Sequence, residues 1–120
     1  LILGQSGSGK SQLALALITH GAKLISDDQV ILINTESDVI LSAPKSISGK
    51  IEARFVGILK MPVLIAPLYL VIDLDQKELD RLPKKKFVTY FNKKIPALNA
   101  NGIKKLEYSL IPLLKNNGII

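Results

Sequence analysis

The sequence predicts one α/β domain: a β-sheet carrying a phosphate-binding loop, helices packed on that sheet, and several antiparallel strands in the second half. Two observations predict it. Gly4-Gln5-Ser6-Gly7-Ser8-Gly9-Lys10-Ser11 fits G-x-x-x-x-G-K-[ST] at every fixed position, between an apolar β-prone stretch (Leu1-Ile2-Leu3) and a helical pattern at 12–20. Downstream, short apolar runs bounded by turn residues outnumber the two clear helices, so the sheet should be mixed.

Each part of the glycine-rich stretch has a physical task. The glycines let the backbone curl until successive N–H groups face one concavity, where the helix N-terminus adds partial positive charge. Lys10 sets a cation against the outer phosphates of a nucleotide, and Ser11 offers a hydroxyl to magnesium. In the helix that follows, Leu13, Ala14, Leu17 and Ile18 share a face, Gly21 closes the end, and His20 reads as a residue of the last turn.

Further along, 23–26 reads as a short strand delivering Asp27-Asp28. Residues 29–34 and 39–41 read as strands, 44–49 as a loop and 51–58 as extended. The apolar run 64–74 ends in Asp73 and Asp75, and 75–82 allows one helical turn. Residues 87–91 and 94–98 read as strands turning at Asn92-Lys93. Asn101 is placed to cap a last helix striped by Ile103, Leu106, Leu110, Leu113 and Leu114, with Pro112 expected to kink or restart it.

Composition narrows the function. The chain has 120 residues, enough for one domain, and 48% hydrophobic content supports a core. It has no cysteine, which excludes disulfides and thiolate metal sites and suits the cytoplasm. The apolar run at 62–74 is too short to span a bilayer, and no membrane partner is expected. The net charge is +6, but the lysines are dispersed except at Lys84-Lys85-Lys86, and aromatics do not interleave with them; no nucleic acid partner is expected. The chain opens inside the strand feeding the loop, which suggests residues upstream of Leu1. A homo-oligomer is left open.

A phosphate loop needs acids beside it: a carboxylate to help hold a metal, and often one to take a proton from the attacking hydroxyl. Asp27-Asp28 is the first candidate, because ligands of open α/β sheets bind beyond the strands' C-terminal ends. Asp73, ending an apolar strand, is the second and would suit a small-molecule kinase or an ATPase. Glu52 and Arg54, two apart on an extended chain, share a face and could hold a metal and steady a phosphate.

These motifs, in this order, resemble HPr kinase/phosphorylase. Its loop reads G-x-S-G-x-G-K-S, matched by Gly4, Ser6, Gly7, Gly9, Lys10 and Ser11; an apolar pair and two aspartates follow, as in Leu24-Ile25-Ser26-Asp27-Asp28. The signature E-I-R-G-L-G-I is met by Glu52, Arg54, Gly57 and Ile58, with Phe55 in place of the first glycine. The likeness is strongest from Gly4 to Ile58, about half the chain.

It implies a P-loop domain of the HPr kinase / phosphoenolpyruvate carboxykinase type, a mixed sheet with flanking helices, in a short form lacking the N-terminal domain. It further implies an ATP- and Mg2+-dependent serine kinase acting on the phosphocarrier HPr, with a phosphorylase activity in reverse. By the same resemblance Lys10 and Ser11 bind phosphate and magnesium, Asp28 is the general base supported by Asp27, Glu52 is a second magnesium contact, and Arg54 orients phosphates. The family's catalytic histidine falls upstream of this sequence, and Arg81 does not match its distal arginine. A nucleotide-binding regulatory module with little transfer is the competing reading.

Overall fold

A computed structural model describes residues 1–116. The central sheet has the order β1-β7-β9-β8, from strands Ile2–Leu3 (β1), Val71–Asp73 (β7), Lys93–Asn99 (β9) and Lys86–Tyr90 (β8). β1, β7 and β9 run parallel and β8 antiparallel, so the sheet is mixed as expected. β7 sits centrally and is apolar on both faces, with Val71 and Ile72 buried.

One face of this sheet is covered by helices α1 (Lys10–Thr19) and α2 (Glu107–Lys115). Leu13 and Leu17 meet Leu70, Ile72 and Leu74 there, with Leu110 filling the gap. The other face packs on a second sheet of β2 (Ile31–Asn34), β3 (Val39–Ser42) and β6 (Ala66–Pro67), where Val39 and Leu41 meet Val71, Ile95 and Ala97. β9 serves that contact by alternation: Ile95 and Ala97 point in, Lys94 and Pro96 out. β4 (Lys50–Ala53) and β5 (Gly57–Lys60) form a separate hairpin that packs against α1.

Several elements differ from the sequence reading. Residues 23–26 form no strand; the place beside β1 belongs to β7. Leu24 is nevertheless buried and Ile25 packs below the central sheet, so the apolar pair reports burial rather than pairing. The stretch 51–58 is a hairpin with its turn at 54–56, and 75–82 forms no helix. The β8–β9 turn falls at Phe91-Asn92, one residue early. Both have positive φ (51° and 62°), the geometry that matches the twist of two-residue hairpins.

Asn101 does not cap α2. Gly102 and Lys105 have positive φ (75° and 56°), which breaks the helical path and moves the N-cap to Leu106. Pro112 lies inside α2, and the helix runs on to Lys115 without a restart. Of the expected stripe, Leu106, Leu110 and Leu113 pack on the core, whereas Ile103 and Leu114 stay exposed. α1 ends as foreseen: Gly21 N–H reaches Ile18 O and Ala22 N–H reaches Leu17 O, both at 3.0 Å, with Gly21 at φ 101°. His20 places Nδ1 2.9 Å from Ala16 O in that last turn. Lys86 opens β8 and pairs with Glu78, while Lys84 and Lys85 are exposed. No helix among the described residues is long and apolar enough to cross a membrane.

Candidate active site

The three parallel strands end on one edge of the sheet, and the segments leaving them are knitted together. The Gln5 backbone N–H donates to Asp75 Oδ1 at 3.1 Å, joining the segment after β1 to that after β7. Asn101 N–H donates to Gln76 O, and Asn101 Nδ2 to Leu74 O, both at 2.9 Å, joining the segment after β9 to the same place. The loop Gly4–Gly9 therefore leaves β1 from a fixed base. Sequence reasoning notes Asp75 at the end of the apolar run, two residues beyond Asp73, but gives it no role.

Within the loop, Ser8 N–H closes a turn on Gln5 O and Leu13 N–H begins the helix ladder at Gly9 O, both at 3.0 Å. A Cβ on Gly4 would lie 2.3 Å from Ser8 Oγ, so close approach fixes that glycine. Gly9 caps α1 at φ 97°, a conformation costly for any residue with a side chain. Lys10 folds back over the loop, its Nζ 2.6 Å from Gly4 O and 3.1 Å from Gln5 O.

Beside the loop is an open cavity of about 630 Å³, where side chains from three distant segments meet: Lys10 and Ser11, Asp27 and Asp28, Glu52 and Arg54. Asp27 links all three segments, because its Oδ1 accepts the Ser11 hydroxyl at 3.1 Å and its Oδ2 accepts the Glu52 N–H at 3.0 Å. Asp28 stands at the apex of a tight turn in which Gln29 N–H reaches Asp27 O at 2.8 Å, with φ 65° at Asp28. Its carboxylate is exposed, lines the cavity and has no hydrogen-bond partner among the described residues.

Gly4, Ser6, Gly7 and Gly9 wall the same cavity, whereas Gln5 and Ser8 face a second cavity of about 650 Å³ on the loop's other side. Arg54 lies in the hairpin turn rather than on β4, so the extended spacing does not hold there, and it lines the same cavity as Glu52. Asp73 does not line it; its Oδ1 accepts the Asp75 N–H at 2.9 Å instead.

The family model of the HPr serine kinase C-terminal domain matches residues 1–101. The chain belongs to this family. The match runs well past Ile58, so the membership extends through β9.

The HPr kinase/phosphorylase of Clostridium tetani is 38% identical over 89 residues, covering 68% of this chain and 29% of the relative. That of Clostridium acetobutylicum is 44% identical over 64 residues, covering 53% and 21%. The chain thus spans less than a third of the length of these curated relatives. The solved structure of the Hpr(Ser) kinase/phosphatase from Coxiella burnetii superposes with a TM-score of 0.81 at 26% identity, over 97% of this chain and 80% of that one. The HPr kinase fold expected from the motifs is thereby established.

Proposed function

We propose that this chain is the phosphoryl-transfer part of an ATP-dependent protein-serine kinase acting on HPr, the phosphocarrier of the sugar phosphotransferase system. The observation that carries the reading is the convergence of Lys10, Ser11, Asp27, Asp28, Glu52 and Arg54 on one cavity beside the phosphate loop. The relatives named HPr kinase/phosphorylase supply the substrate.

The donors suit Mg2+. Ser11, Asp27 and Glu52 offer hard oxygen ligands of the kind magnesium takes. No group of three or more acids or histidines among the described residues could hold a metal. Magnesium is usually bound by one or two carboxylates together with substrate phosphates. When bound, it would neutralise the charge that develops on the transferring phosphoryl group.

The residues then divide the work. Lys10 leaves the carbonyls of Gly4 and Gln5 for the outer phosphates of ATP. Arg54 holds the phosphoryl oxygens in line. Asp28 accepts the proton of the serine hydroxyl as its oxygen bonds to the γ-phosphorus, and the bond to the β-phosphate oxygen breaks to release ADP. A carboxylate with no partner of its own is free to do this, whereas both oxygens of Asp27 are engaged. The reverse, phosphate-driven dephosphorylation would use Asp28 as the acid. Such a role, and the lack of cysteine, suit the cytoplasm.

The test is transfer of radiolabel from γ-labelled ATP to HPr. Labelling by the wild-type chain and a fall of about 10²–10⁴-fold in Asp28→Asn, with ATP affinity kept, are expected. Equal labelling by Asp28→Asn removes the base assignment. Nucleotide binding without any phosphoprotein would favour the regulatory module.

A further inference from the structure

The β4–β5 hairpin ends in a residue whose backbone and side chain are at odds. Phe55 is the third residue of the turn that Val56 N–H closes on Ala53 O at 2.9 Å, and its φ is 67°. That conformation suits glycine or asparagine, and a bulky side chain there is an outlier. Packing does not compensate: Phe55 is 100% exposed, Val56 78% and Ile58 71%. Glycine would relieve the backbone and remove the exposed ring, so folding does not account for phenylalanine. Residues strained in this way cluster at functional sites.

The tip's position indicates the site. Arg54, the preceding residue, and Glu52 line the cavity that holds Lys10 and Asp28. A small alcohol could enter that cavity without meeting the tip. A folded protein bringing a serine hydroxyl to Asp28 would press against the rim, and the hairpin tip is part of that rim.

We infer that Phe55, flanked by Val56 and Ile58, is a docking anchor for the protein substrate. This rests on the protein-serine kinase reading and adds to it the means by which a macromolecular substrate is held. Phenylalanine is among the side chains enriched in the buried centre of such contacts.

The experiment is a calorimetric titration of HPr into the chain and into its Phe55→Gly and Phe55→Asn variants. Nucleotide affinity, thermal unfolding and sedimentation are followed in parallel. Both variants should bind HPr at least about tenfold more weakly, with unchanged nucleotide affinity and an equal or higher Tm. Unchanged HPr affinity in both variants overturns the inference. So does dissociation of an oligomer with HPr affinity intact, which would give the tip to a second copy of the chain. So does a fall in Tm with parallel loss of nucleotide and HPr affinity, which would make Phe55 structural. A wild-type chain that binds nucleotide but no HPr sinks the kinase reading and this inference with it. An HPr-binding chain indifferent to Phe55 sinks the inference alone.

Discussion

Asp27 accepts the backbone N–H of Glu52, twenty-five positions away in sequence, at 3.0 Å on Oδ2, while its Oδ1 holds the Ser11 hydroxyl at 3.1 Å. One carboxylate thereby fastens the first turn of α1 to β4, and with β4 the cavity's glutamate and its arginine. Asp27→Ala should remove both acceptors. It should destabilise the fold by about 1–2 kcal/mol in urea unfolding and weaken magnesium-dependent nucleotide binding about tenfold. Asp27→Asn, which keeps one acceptor, should fall between. Unaltered magnesium dependence in Asp27→Ala would detach this residue from the metal.

Among the described residues, Lys10 contacts only loop carbonyls through its ammonium group, Gly4 O at 2.6 Å and Gln5 O at 3.1 Å. No other element leans on that charge. Lys10→Ala should therefore lower nucleotide affinity by roughly ten- to a hundredfold, as expected for loss of a charge-assisted phosphate contact, with little change in Tm. Titration with ATP beside a thermal melt separates the two. Full affinity in the variant would contradict the assigned role.

Leu110 is 1% exposed and joins α2 to the cluster formed by Leu13 and Leu17 behind the phosphate loop. Leu110→Ala should cost about 2–5 kcal/mol, the range for a buried leucine truncated in a packed core. Tyr108, on the exposed side of the same helix, should tolerate alanine within about 0.5 kcal/mol. Denaturant midpoints at unchanged slope would measure both. Similar losses at the two sites would mean that helix propensity, not burial, sets the cost.

Glu78 is paired with Lys86, and this contact, helped by the Asp80 N–H at 3.0 Å, holds its carboxyl below the ordinary glutamate value of 4.5. The folded state then binds fewer protons than the unfolded state as pH falls through that region. The pair's contribution is fully present above about 4.5 and is lost as pH drops through the lowered folded value. The stability difference between wild type and Glu78→Gln should therefore shrink on acidification. A difference independent of pH would show that Glu78 acts by packing alone.

Much of this protein is legible in short stretches. Eight residues from Gly4 to Ser11 set the loop's turn and cation, because the Ser8–Gln5 closure and the Lys10 contacts lie within that span. The Gly21 cap of α1 and the alternation in β9 are local for the same reason. Residue type and spacing were also enough to nominate Asp27, Asp28, Glu52 and Arg54.

Tertiary structure alone decided what those residues do to one another. Apolar periodicity reports burial but does not name the neighbour, so Leu24-Ile25 read as the strand beside the loop when that place belongs to β7. Asp27-Asp28 and Asp73 were both nominated from their local surroundings, the first pair ahead of the second. The fold gave Asp73 to a turn amide and Asp27 to Ser11 and Glu52. Hydrogen bonds across long sequence separations follow from how sheets stack and loops close, and local sequence carries no record of that geometry.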